Sequence, residues 1–254
     1  MKRKFISAVI SLLLIAFVLL MLFPIVFTVL RSFIAEEFTL KGYADFFIWQ
    51  PEYIRALVRS LIISGAVTLL SAVIAISAAY VFAKVPFRGR GIIFFLYIIV
   101  MIMPFQVTLL PHYMISRNIG SYDTPLALIL PGIFAPFAVF LLTQMMRSLP
   151  NEALEAARLE TSSIFVIMTR IVIPAMKPGI ACAAVLTFSE EWNKIAEPQA
   201  LLESPMNFPL SMLLTGKADP AICAGTVIFL LFPLILFGFF EEEISEGLKE
   251  YKLK

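Results

Sequence analysis

The sequence predicts an all-α polytopic membrane protein with six transmembrane helices and a polar cytoplasmic helix between the fourth and the fifth. Three observations predict it. First, the 254-residue chain is 60% apolar and 15% charged, with a mean hydropathy of +0.93. That is more apolar surface than a water-soluble domain of this size can bury. Second, six stretches approach the roughly 20 apolar residues that a helical span needs: about 7–30, 58–83, 91–113, 125–146, 178–198 and 221–240. Third, a cytoplasmic start puts thirteen of the 20 Lys and Arg residues in inside segments and seven in outside segments, as the positive-inside rule requires. Both termini are then cytoplasmic.

The first span opens with Met1-Lys2-Arg3-Lys4 and stays apolar to Leu30. That run is too long for the apolar core of a signal peptide, and no small-x-small cleavage site follows it, so it reads as an uncleaved span. Residues 31–57 read as a short external segment of mixed charge. The second span, SLIISGAVTLLSAVIAISAAYVFA, is rich in small residues: Ser64, Gly65, Ser71, Ala72, Ala75, Ser77, Ala78 and Ala79. Small residues let helix backbones approach closely in lipid, so a packed bundle helix is expected. Pro104, Pro111, Pro131 and Pro136 mark kinks in the third and fourth spans, because each removes a backbone donor. The fifth span is apolar only from Pro178 to Ser189, before Glu190 and Glu191 arrive. The sixth runs from Ala221 to Phe240 and stops at Glu241. Residues 190–220 form a second short external segment, and 241–254 a charged tail.

Several functional classes are excluded. A net charge of +2 gives no sign of a nucleic-acid partner. Cys182 and Cys223 lie far apart in apolar runs and read as small buried hydrophobes rather than a disulfide or a metal pair. His112 is the single histidine and lacks companions for a metal site. Gly216-Lys217 is not a phosphate loop: Ser211 stands where the first Gly would be, and Ala218 follows the Lys. The chain is therefore expected to be no enzyme, with no catalytic or metal-ligating residues and no cofactor of its own.

The polar helix is the unusual element. Ser148 is a plausible N-cap, with Pro150 and Glu152 in the first turn, and the helix runs to about Glu160. Ala153, Ala156 and Ala157 fall at i, i+3 and i+4 and so share one smooth face, rimmed by Glu152, Glu155 and Arg158. Thr161, Ser162 and Ser163 break the helix. A second helix, about Ile164 to Ile173, ends at Pro174. Two readings stand from the residues alone. The alanine face presses into a groove on another protein, or the pair lies at the lipid interface with Ile164, Phe165, Ile167 and Met168 dipping in.

Glu155-Ala156-Ala157, three residues, position 161, nine residues, then Ile171-Val172-Ile173-Pro174 resembles the EAA signature of ABC-importer permeases. In that family the pattern is E-A-A, three residues, Gly, nine residues, I-x-L-P. The spacing matches throughout, with Thr161 in place of Gly and Ile173 in place of Leu. Gly permits a left-handed turn that Thr does not, so a differently shaped turn, capped by Thr161 or Ser162, is expected. FRGR at 87–90, MPFQVTLLPHYMI at 103–115, the stretch at 123–158 and FSEEWN at 188–193 are similar to the carbohydrate-uptake branch, and within it to the smaller, six-span maltose-type subunit.

The resemblance implies a permease subunit of a binding-protein-dependent sugar importer in the cell membrane. Residues 57–240 would form the transmembrane domain, after an N-terminal helix and loop at 1–56 and before the tail at 241–254. Glu155, Ala156, Ala157, Arg158, Thr161, Ile171 and Pro174 would form the coupling loop that docks on a cytoplasmic ATPase dimer. ATP and Mg would be used by that partner. A second homologous permease, as a heterodimer, and an extracytoplasmic solute-binding protein complete the expected partners besides membrane lipid.

Gln106, Glu190, Trp192 and Asn193 are the candidates for the solute pathway. Glu190 lies about 18 Å along a helix starting near Pro178, at a depth where polar groups are costly and functional. The alternative is that Glu190 and Glu191 end the helix in water. Gln144 also matches the family but sits near the cytoplasmic end. A permease for another solute (polyamine, phosphonate or peptide) shares this architecture. An ion-coupled secondary transporter would need paired carboxylates deep in its spans, and a non-transporting scaffold leaves the EAA spacing unexplained.

Overall fold

The computed structural model describes residues 2–34, 38–216, 219–243 and 245, with side chains from residue 10 onward. The side chains of Lys2, Arg3 and Lys4, the pair Lys217 and Ala218, and the tail at 244 and 246–254 lie outside the described residues. The described residues are helical and contain no strand, only one isolated bridge between Ile34 and Phe38. Among the described residues, four helices are long and apolar enough to cross a membrane, or up to six if each of two bent pairs is one span.

Helix α1 (Lys2–Phe33) is followed by a short α2 (Lys41–Ala44) and a π-helical turn, Asp45–Trp49. Helix α3 (Pro51–Lys84) is the axis of the bundle. Its buried Ser60, Ser64, Ser71, Ala75 and Ala79 recur at helical spacing, and along this seam α7 and α11 pack closely. Helices α4 (Arg90–Ile102) and α5 (Phe105–Asn118) follow, then α6 (Leu126–Gly132) and α7 (Pro136–Ser148). Next come α8 (Asn151–Glu160), α9 (Ile164–Ile167), a π-helical turn (Met168–Val172) and α10 (Ile173–Ala175). Helices α11 (Lys177–Asn193), α12 (Ala196–Leu201), α13 (Leu210–Leu213) and α14 (Pro220–Phe239) complete the chain.

The third span, expected over 91–113 with kinks at its prolines, is two helices rather than one. Met103 and Pro104 are extended, and α4 and α5 meet at 97°. The cause is local, because a residue before proline is pushed out of the helical region. The fourth span breaks at Ala135, whose backbone takes φ +23° just before Pro136. The helix expected to end at Pro174 runs on to Ala175. It then turns by 79° into α11, and a π-helical turn precedes the proline that cannot donate.

Residues 31–50 are more than an external connector. Ser32 Oγ and Tyr43 Oη are 3.0 Å apart, and Phe46 is wholly buried among Tyr53, Trp192, Phe229 and their neighbours. Gly42 lies against the start of α14, where a Cβ would stand 2.5 Å from the Pro220 carbonyl oxygen and 3.0 Å from that of Ser32. Both obstacles are backbone and cannot rotate away. Gly42→Ala should therefore cost about 1–3 kcal/mol and lower the unfolding temperature in detergent. An unchanged temperature would show that α2 is not seated against α14.

Candidate functional site

Ser148 does not cap the polar helix. It ends α7, its hydroxyl donating to the Met145 carbonyl at 2.7 Å, and extended Pro150 precedes α8. The α8 helix is pinned to the end of α3 at two points. Lys84 Nζ donates to the Leu149 carbonyl at 2.6 Å and to Asn151 Oδ1 at 2.8 Å. Arg158 Nη2 donates to Tyr80 Oη at 3.1 Å. Between these bonds Leu154 and Ala157 are buried, in one cluster with Tyr80, Ile167 and Val172.

This splits the expected alanine face. Ala157 faces the bundle of its own chain, together with Leu154 at i−3. The outward surface carries Glu152, Ala153, Glu155 and Ala156, and Leu159, which is 91% exposed. Leu159 was missed by sequence reasoning, although an apolar residue one turn beyond Glu155 was the available signal.

Thr161 is extended, φ −150° and ψ +139°, so the position makes no demand for glycine. Its Oγ1 accepts from Ser163 N at 3.2 Å, and Ser163 rather than Thr161 or Ser162 caps α9, accepting from Val166 N at 3.4 Å. Ile171 is half-buried against the same cluster as Ala157, and Pro174 is exposed. The fold thus gathers both ends of the 155–174 loop on one core.

The pathway candidates separate. Gln106 is exposed in the first turn of α5, after Pro104. Glu190 and Asn193, at i and i+3 on α11, are exposed, and the Asn193 amide donates to the Ser189 carbonyl at 2.7 Å. Trp192 points the other way and is 1% exposed. Its indole N–H donates to the Phe229 carbonyl at 3.0 Å, and its ring packs against Phe188, Phe229 and Phe232. No ring face is left over for a solute. Glu191 is also turned inward: its side chain is 6% exposed and its carboxylate meets Lys194 Nζ at 2.6 Å. The same ammonium reaches Glu197 at 3.1 Å. Gly132 makes room for Glu191, which a Cβ at that position would approach at 3.3 Å. Half-buried Gln144 accepts from Arg147 at 3.4 Å, which fits a packing bond.

A polar knot at the opposite end of the bundle from α8 was not anticipated. Asp123 takes φ +56°, a conformation that Asp tolerates better than most residues. Its Oδ1 accepts from the backbone N–H groups of Glu203 and Ser204, both at 2.9 Å. Ser204 Oγ donates to Oδ2, Asn207 donates to the Asp123 carbonyl, and Arg59 donates to Asn207. These bonds, chiefly the two from Ser204, hold the Asp123 carboxyl well below the usual carboxylate range. Only the turn signal Asp-Thr-Pro was visible beforehand, since the partners lie some 80 residues away.

The sequence profile of a family described as "Binding-protein-dependent transport system inner membrane component" matches residues 71–241. The arabinooligosaccharides transport system permease protein AraQ of Halalkalibacterium halodurans is 33% identical over 196 residues, covering 75% of this chain and 70% of that protein. AraQ of Bacillus subtilis is 30% identical, covering 85% of this chain and 77% of that protein. The trehalose transport system permease protein SugB of Mycobacterium tuberculosis is 28% identical, covering 78% and 76%. Among solved structures, a chain of a bacterial ABC transporter involved in the import of the acidic polysaccharide alginate has the same fold. Its TM-score is 0.80 at 18% identity, covering 96% of this chain and 97% of that one.

The Asp123 knot makes a pH-dependent prediction. Its carboxyl titrates lower when folded than when unfolded, so its stabilisation is complete above the ordinary value of ~3.9 and is lost as pH falls below that toward the folded value. Asp123→Asn should lower the unfolding temperature at neutral pH, and its difference from wild type should shrink under acid. A difference that stays constant with pH would show that the ionised carboxylate contributes nothing.

Proposed function

The chain belongs to the inner-membrane components of binding-protein-dependent transport systems, and from that premise we propose that it is a membrane-spanning permease subunit of an ATP-driven sugar importer, with α8 as its coupling element. The observation that carries the coupling assignment is the way α8 is held. It is a polar helix rigidly attached to the end of the longest helix, with Glu155, Ala156 and Leu159 left outward. A membrane helix exposed only to lipid has no need of such a surface. Sugar as cargo is supported by relatives named for arabinooligosaccharides and trehalose.

In this reading the chain contributes half of an alternating-access pathway beside a second, related permease. A solute-binding protein delivers sugar at the outer face, and an ATPase dimer using ATP and Mg binds at the cytoplasmic end. ATP shifts the bundle between inward- and outward-facing states because the ATPase surface that receives α8 differs between its closed and open forms. Both termini lie in the cytoplasm, on the side of Lys84, Arg147 and Arg158. Residues 57–240 are the transport body, 1–56 an N-terminal helix with its outer connector, and 241–254 a cytoplasmic tail. Gln106, Glu190 and Asn193 offer hydrogen bonds to hydroxyls from exposed positions, while Trp192 fixes the rotation of α11 that turns Glu190 and Asn193 outward.

Two variants separate docking from folding. Leu159→Asp should leave the unfolding temperature near wild type and weaken ATPase binding about tenfold, ~1.4 kcal/mol, with a matching loss of ATP-driven uptake. Ala157→Trp should overpack the chain's own core by about 1–3 kcal/mol and lower its unfolding temperature before any partner is added. Full ATPase binding and uptake by Leu159→Asp would overturn the coupling assignment.

A further inference from the structure

The π-helical turn at Asp45–Trp49 presents three large apolar side chains that the transport reading does not use. Phe47, Ile48 and Trp49 are 51%, 67% and 73% exposed, while their neighbour Phe46 is wholly buried. Within this turn Phe46 enters the core and the three residues after it leave it.

The level of this turn along the bundle is fixed by its contacts. Gly42 touches Ser32 and Pro220, the two points where the apolar runs of α1 and α14 end. Phe46 goes deeper and packs on Gly225, five residues and about 7.5 Å into α14 at ~1.5 Å per residue. Phe47, Ile48 and Trp49 therefore project sideways at the edge of the hydrocarbon layer, not into bulk water. Exposed apolar side chains also cover α1 (Ile10 to Leu30) and α14 (Leu230, Leu231, Leu234). The flanking side chains Lys41, Glu52 and Arg55 are exposed and charged, as suits the polar side of an interfacial segment. Trp is enriched at this depth because its ring is apolar and its N–H can be hydrated.

We infer that Phe47, Ile48 and Trp49 form an interfacial anchor that inserts into the headgroup–acyl boundary of the outer leaflet, fixing the height of the α1–α3 connection in the bilayer. The anchored turn bears directly on Phe46, and through it on the cluster that holds Trp192. Lipid thus sets the position of the outer end of α11 through a single aromatic contact layer.

The chain has two tryptophans, and Trp192 is sealed in the core, so fluorescence reads the anchor directly. The full chain, with whatever subunits accompany it, is reconstituted into phosphatidylethanolamine–phosphatidylglycerol vesicles containing brominated phosphatidylcholine. Trp49 emission is taken as the difference between wild type and Trp49→Phe, and independently from Trp192→Phe, in case one variant fails to fold. The anchor predicts severalfold stronger quenching by lipid brominated near the glycerol end than by aqueous acrylamide, and weaker quenching by bromine near the acyl methyl end. Strong acrylamide quenching without lipid quenching would place Trp49 in water and overturn the inference. Protection from both quenchers would place Trp49 against another protein subunit and overturn it equally.

Discussion

The ammonium of Lys84 fixes the geometry on which the cytoplasmic end depends. It closes the last turn of α3 onto the Leu149 carbonyl and Asn151, satisfying backbone that the α7–α8 turn would otherwise leave to water. Tyr80, one turn earlier on the same face of α3, receives Arg158 from the far end of α8. Three polar bonds at two positions four residues apart on one helix therefore hold the other helix at both ends, with Leu154 and Ala157 buried between them. Under the proposed coupling role, these bonds are the route by which a displacement of the outer surface of α8 would reach α3. Contiguous packed and hydrogen-bonded parts of this kind are one physical route for coupling distant sites.

From Lys84 the same helix runs 25 residues to Arg59, roughly 37 Å at ~1.5 Å per residue, and there joins the Asp123 knot through Asn207. Polar fastenings thus sit at both ends of α3 while a seam of small residues packs its middle. The departures from straight helix lie elsewhere, at Met103–Pro104, Ala135–Pro136 and Met176. Each adjoins a proline or follows one closely, and none of them interrupts α3. Helices α1, α3 and α14 are continuous, and the joints are confined to the segments between α3 and α14.

Much of this was legible in the sequence, because lipid imposes simple rules. The apolar runs located the spans, and the spacing from Glu155 to Pro174 pointed to the family that the profile and the relatives show. What the sequence could not show was rotation about a helix axis. Ala153, Ala156 and Ala157 looked like one surface, but Ala157 shares its face with Leu154 and the core fills that side. FSEEWN has alternating fates for the same reason: Trp192 and Glu191 find partners inside, and Glu190 and Asn193 do not. Thr161 stands where the family pattern has glycine, in extended backbone that makes no demand for one. The Asp123 knot was hidden because its partners are distant in sequence and meet only when α12 returns to α6.

The most direct test of ATP-driven coupling through α8 is site-directed cross-linking in membranes of cells making the whole importer. A single cysteine at position 159, with Cys182 and Cys223 replaced, is treated with a short bifunctional maleimide, and the products are identified by mass spectrometry. The coupling assignment predicts a cross-link from position 159 to a protein that carries a nucleotide-binding phosphate loop, and none from a cysteine at buried position 157. Labelling of position 159 by water-soluble maleimide alone, with no cross-linked partner while ATP-driven uptake is intact, would contradict it.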